Sequence, residues 1–178
     1  MVKIEIYFNI LLNFNYLNMV AQVRTPINNR SIQDAVMLWF EDNSSALRKY
    51  GHISRWDTSQ VTNMEQLFNL RNLYGDEYSN YHFNEDISAW DVSNVVSMGC
   101  MFANAEHFNQ DISNWDVSKV ADMSAMFANA KRFNQNLSRW NIRALWVSDM
   151  FHGAESFDQD ISTWNLTPFQ RDSISGTR

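Results

Sequence analysis

Residues 108–127 read FNQDISNWDVSKVADMSAMF, and residues 83–102 read FNEDISAWDVSNVVSMGCMF. Two strings this alike, 25 residues apart, mark an array in which one structural unit is laid down repeatedly. A domain with a single core has no reason to return to the same residue order. Tryptophan anchors the copies: Trp56, Trp90, Trp115, Trp140 and Trp164 follow one another at steps of 34, 25, 25 and 24 residues. Three residues before each stands Ile53, Ile87, Ile112, Leu137 or Ile161, with a serine next in line. Eight residues after the first three anchors stand Met64, Met98 and Met123, and three further on Leu67, Met101 and Met126, each followed by Phe. The fourth copy is one residue shorter, so Val147, Met150 and Phe151 take those places. A second aromatic, Phe83, Phe108, Phe133 or Phe157, precedes the Ile or Leu by four.

Geometry follows from the spacing. Ile112-x-x-Trp115-x-Val117-x-x-Val120 has the pattern of a leucine-rich repeat. Within it Trp115-Asp116-Val117 alternates in, out, in, as a short strand does. Met123, Met126 and Phe127 then fall at i, i+3 and i+4, which predicts a turn or two of helix. One coil is therefore expected to run strand, turn, short helix, return loop. Stacked coils bury what a lone coil cannot, because each Trp, Val, Met and Phe meets its equivalents above and below. The expected fold class is α/β: a short leucine-rich-repeat-like solenoid with one small parallel sheet, short helices on the other side and a helical N-terminal cap. The cap rests on a capping-box-like Ser31 and Asp34, an apolar stripe through Ile32, Ala35, Val36, Leu38 and Trp39, and a second short helix over 45–50 closed by Gly51. The expected division is an N-terminal extension over 1–30 (a candidate signal or a disordered segment), the cap over 31–55, about four coils over 56–169 and a loose tail over 170–178.

Composition narrows the function. A formal charge of −6 gives no basic footprint for nucleic acid. The single cysteine, Cys100, excludes an intrachain disulfide, and no run reaches the ~20 apolar residues of a membrane span. Phosphate-binding glycine loops, nucleophile elbows and His-Glu-x-x-His are missing, and His52, His82, His107 and His152 read as unrelated positions. An enzyme is not expected, and neither is a cofactor.

The candidate site is a row of polar side chains between the inward residues of each coil: Asp57, Asp91 and Asp116, then Asn141. Parallel strands lie ~4.8 Å apart, and like charges at that distance repel by roughly 1 kcal/mol in water. Three things offset such repulsion: a hydrogen bond from each Asp to backbone two residues on, a basic partner, or a bound Ca²⁺. A second surface is the insertion between Phe68 and Phe83, nine residues longer than its counterparts. Tyr74, Tyr78 and Tyr81 in it form a candidate recognition surface, against the plainer reading of a tolerated insertion.

FNQDISNWDVSKVADMSAMF resembles the units of BspA-like leucine-rich repeat proteins of the Mycoplasma-lipoprotein-associated type, over about residues 50 to 166. The stretch from Tyr50 to Ser59 is similar to versions in algae, protists and large DNA viruses. That resemblance implies a repeat solenoid, often at the cell surface or secreted, which mediates adhesion or protein contacts and carries no catalytic residue. The expected function is non-catalytic binding of a protein partner through the sheet face. The alternative is a calcium-stabilised structural array with no specific partner.

Overall fold

A buried indole carries one N–H that has to find an acceptor, and in this chain the acceptors set the architecture. In the computed structural model, which describes residues 25–69 and 82–174, all five anchor tryptophans are buried. Each reaches backward by one coil. Trp90 Nε1 donates to the Ile53 carbonyl at 2.8 Å, Trp115 to Ile87 at 3.3 Å, Trp140 to Ile112 at 3.1 Å and Trp164 to Leu137 at 3.0 Å. Trp56 has no coil before it and donates instead to Gly51 of the cap, at 3.0 Å. The aromatic rings then stack. Phe68, Phe102, Phe127 and Phe151 form one column, with centroids 5.3–5.6 Å apart and planes within 7°. Phe83, Phe108, Phe133 and Phe157 form a second, at 5.7–6.0 Å. The two columns meet within each coil at 3.8–4.0 Å.

The Met-x-x-Met-Phe runs are consecutive tight turns. Met126 N–H bonds back to the Met123 carbonyl at 3.2 Å, and Ala125, the third residue of that turn, has φ +52°. Gln66, Cys100 and Asp149 occupy the same place at +57°, +53° and +57°. A left-handed residue at the third position is what a type II turn demands. The following turn carries Asn104, Asn129 or Gly153 at positive φ. This backbone leaves every second amide pointing along the stack. Met123, Ala125, Phe127 and Asn129 donate to Trp146, Ser148, Met150 and His152 of the next coil at 2.7–2.9 Å, and Met98, Cys100, Phe102 and Asn104 do the same one coil earlier. Non-glycine residues pay about 1–2 kcal/mol each for that conformation; the inter-coil hydrogen bonds hold them in it.

Two expectations are corrected here. Among the described residues there is no β-strand, so the parallel sheet, and with it an α/β solenoid built on one, is absent. What remains of parallel pairing is a series of isolated bridges, Asn63↔Ser97, Ser97↔Asp122 and Asp122↔Trp146. The cause is local: Asp116 closes a turn onto Ser118 N–H at 3.1 Å, and Val120 N–H bonds to Val117 at 3.0 Å, so the extended stretch ends before a ladder begins. Nor do the Met runs form helices. Spacing of i, i+3, i+4 is shared by a helical turn and by two successive tight turns, and the positive φ at the third position of each turn selects the latter.

Helix does occur at the ends. α1 (Ile32–Glu41) and α2 (Asn43–Tyr50) lie over the first coil, where Trp39 meets Trp56 edge-on at 6.2 Å. Ser31 makes no capping bond to α1, since its hydroxyl is engaged by Asn28 N–H and Pro26 carbonyl. α2 starts on Asp42, which accepts from Ser45 N–H, and stops at Gly51, whose φ of +79° suits glycine. Ile27, just before the cap, is buried. At the other end α3 (Pro168–Ser173) opens with a capping box between Thr167 and Gln170. Its Ser173 and Ile174 carbonyls accept from Asp149 and Phe151, and Ile174 is buried against the last coil. The chain from residue 170, expected as a loose tail, is thus helical through Ser173.

Ala125→Gly tests the turn assignment. At φ +52° glycine relieves strain, so this change is expected to stabilise by about 1 kcal/mol. Ala128→Gly, where φ is not positive, is expected to cost about 0.5–1 kcal/mol. Urea unfolding of the two variants checks the opposite signs.

Candidate functional site

Each carboxylate of the candidate row sits on the exposed side of its coil, directly after the buried Trp. Asp57, Asp91 and Asp116 each use Oδ1 to accept the amide of the serine two residues on: Ser59 at 3.1 Å, Ser93 at 3.0 Å and Ser118 at 3.1 Å. The row is therefore a row of Asx turns, and repulsion along it is offset by backbone N–H groups. Asn141 is exposed at the fourth level, where Arg143 replaces the serine. Lateral bonds fix the neighbouring positions: Asn94 Nδ2 donates to the Ser59 carbonyl at 3.0 Å, and Lys119 Nζ donates to Asn94 Oδ1 at 2.8 Å. Tyr74, Tyr78 and Tyr81 lie outside the described residues.

The same turn recurs one corner away. Asp86, Asp111, Asn136 and Asp160 accept from Ser88, Ser113, Ser138 and Ser162 at 2.8–3.0 Å. Beside them an asparagine ladder links coils: Asn109 N–H donates to Asn84 Oδ1 at 2.8 Å, Asn134 to Asn109 at 2.9 Å and Asp158 to Asn134 at 3.0 Å. A third ladder runs Asn69, Asn104, Asn129 at 3.2 and 3.0 Å. It ends on Gly153, where a Cβ would stand 2.3 Å from Asn129 Oδ1.

Hydroxyl and then amide bonds from Ser59, Ser88 and Ser118 hold Asp57, Asp86 and Asp116 below the usual carboxylate range. For Asp111 the Ser113 amide comes first, then its hydroxyl. Burial, then Glu65 and Asp122, push the Cys100 thiol up, away from a reactive thiolate. Among the described residues no three His, Cys, Asp or Glu side chains are grouped to hold a metal ion.

The structure brings together two histidines that the sequence reading treated as unrelated. His82 and His107 each stand immediately before a coil phenylalanine, so they are equivalents in successive coils, with ring centroids 3.8 Å apart. The repeated His-Phe dipeptide was the signal. Burial, Arg132 and His82 together lower the pKa of His107. Further features missed in the sequence are the exposed apolar side chains Val96, Leu145, Trp146 and Phe169.

The profile of a family described as Mycoplasma protein of unknown function, DUF285, matches residues 34–164. The chain belongs to that family. The matched span takes in all but the first two residues of α1, the whole of α2, and every coil as far as Trp164. In this DUF285 member, then, the stacked indoles and the Asx row fall inside the family region, and α3 follows it. No curated protein and no solved structure matches the chain.

The carboxylate shifts fix a sign. Folded-state pKa values of Asp57, Asp86, Asp111 and Asp116 lie below the ~3.9 of an unfolded Asp. Their contribution is thus complete above about pH 4 and is lost as pH falls through the folded values. Asn136 shows that asparagine closes the same turn. Changing these four Asp to Asn is expected to flatten the decline in melting temperature below about pH 4. An unchanged decline contradicts the assignment.

Proposed function

We propose that this chain is a non-catalytic protein-interaction module of the BspA-like kind, which presents the row Asp57, Asp91, Asp116 and Asn141 to a protein partner. The supporting observation is the Asx geometry: each carboxylate commits one oxygen to its own turn, so the side chains are fixed before any partner arrives. Such fixing reduces the ordering cost of binding. The row belongs to the turns that follow each buried Trp, and no sheet is needed to display it. Three carboxylates in register suit a partner that offers Lys or Arg at a matching repeat, and the negative charge of the chain favours the same class of partner.

Alanine is a poor probe of this row because it also removes the turn. Asparagine separates the two roles. Asp57→Asn, Asp91→Asn and Asp116→Asn together are expected to keep the melting temperature at pH 7 within a few degrees while reducing affinity capture of protein partners by at least tenfold. Capture that persists with the triple variant contradicts the proposal.

A further inference from the structure

Directly before the phenylalanines of the second column stand His82, His107, Arg132 and Ser156. Stacking of the coils makes these residues equivalents, and the first three can all carry positive charge. The His82 and His107 rings are in contact, with centroids 3.8 Å apart and planes at 44°. Immediately after them the two coils are locked together. Phe83 stacks on Phe108 at 5.7 Å, and Asn109 N–H donates to Asn84 Oδ1 at 2.8 Å. Phe83 also meets Phe68 at 3.9 Å and Phe40 of α1 at 5.9 Å. Cap, first coil and second coil thus converge on the residue that follows His82.

Most of what surrounds the pair opposes a proton on it. Burial disfavours charge on His107 most, followed by the Arg132 guanidinium and then by His82; Glu106 alone acts the other way. Glu106 is itself engaged, since Lys131 Nζ lies 3.0 Å from its Oε1. Arg132 is tied to the same coil by its N–H, which donates to the Glu106 carbonyl at 3.1 Å. Two unit charges ~4 Å apart repel even in water, so a proton on one ring resists a proton on the other. We propose that His82 and His107 form a pH-sensitive joint between the first two coils: neutral, the rings pack on one another, and protonated, they weaken the coil–coil contact beneath the cap. The sign follows from the fold resisting a proton that the unfolded chain accepts. The contribution of the joint is complete above the ~6.5 of an unfolded histidine, and it is lost as pH falls through that value towards the lower folded one. That window lies well above the one in which the Asx carboxylates titrate. The joint is a different surface from the Asp row and stands independently of it.

The test uses the full chain at low ionic strength, where screening is weak. Between about pH 7 and about pH 5 the melting temperature of the wild type is expected to fall by about 2–4 °C. The double variant His82→Gln with His107→Gln, which packs without titrating, is expected to hold its melting temperature within about 1 °C over the same range. An equal fall in both proteins overturns the proposal. Titration of the His107 ring by NMR reads the coupling itself. His82→Gln alone is expected to raise the proton affinity of His107 about fivefold, and an unchanged midpoint overturns the proposal. In the unaltered chain, high salt is expected to raise that same midpoint by screening His82 and Arg132. A midpoint insensitive to salt also overturns it.

Discussion

The bond from each anchor indole to a carbonyl of the preceding coil is the constraint on which the rest depends. An indole N–H inside an apolar stack costs on the order of 1–3 kcal/mol if left without an acceptor. The carbonyls of Ile53, Ile87, Ile112 and Leu137 meet that need in the coil before, and Gly51 meets it at the cap. One bond thereby fixes two things at once: the register between coils and the depth of the ring. With register set, the phenyl columns coincide, and with them the buried methionines Met98, Met101, Met123 and Met126. A slip of one residue would separate every one of these pairs.

Backbone hydrogen bonding along the stack follows from the same register. The amides released by positive φ at Gln66, Cys100, Ala125 and Asp149 find carbonyls only if the next coil is in step. Polar side chains obey the rule as well. Thr58 takes the place of a buried valine in the first coil and satisfies its hydroxyl on the Asp91 carbonyl at 2.9 Å. Among the described residues no buried side-chain nitrogen or oxygen lacks a partner. Stability therefore resides in contacts between equivalent residues of neighbouring coils, as expected for a nearly one-dimensional array.

Much of this was legible in the sequence, and the limits have physical causes. The Trp, Phe and Met stripes identified the buried residues because equivalents of a repeat occupy equivalent sites. The Asp-x-Ser pattern announced Asx turns, since a short acceptor two residues before an amide is enough to close one. Backbone conformation was less accessible. Met123, Met126 and Phe127 have the periodicity of a helix, yet nothing in Ser124 or Ala125 declares the left-handed turn that replaces it. Trp-Asp-Val alternates like a strand but is cut short by its own Asx bond. The histidine pair and the exposed apolar side chains were missed because each is a departure from the consensus, visible only when aligned copies are laid over one another.

Hydrogen exchange of the indole N–H protons, resolved by two-dimensional NMR, tests the cross-coil bond most directly. Trp146, half-exposed and outside the series, is the internal control. The protons of Trp56, Trp90, Trp115, Trp140 and Trp164 are predicted to exchange orders of magnitude more slowly than that of Trp146, at rates approaching global unfolding. Exchange of the five at the rate of Trp146 would contradict the account.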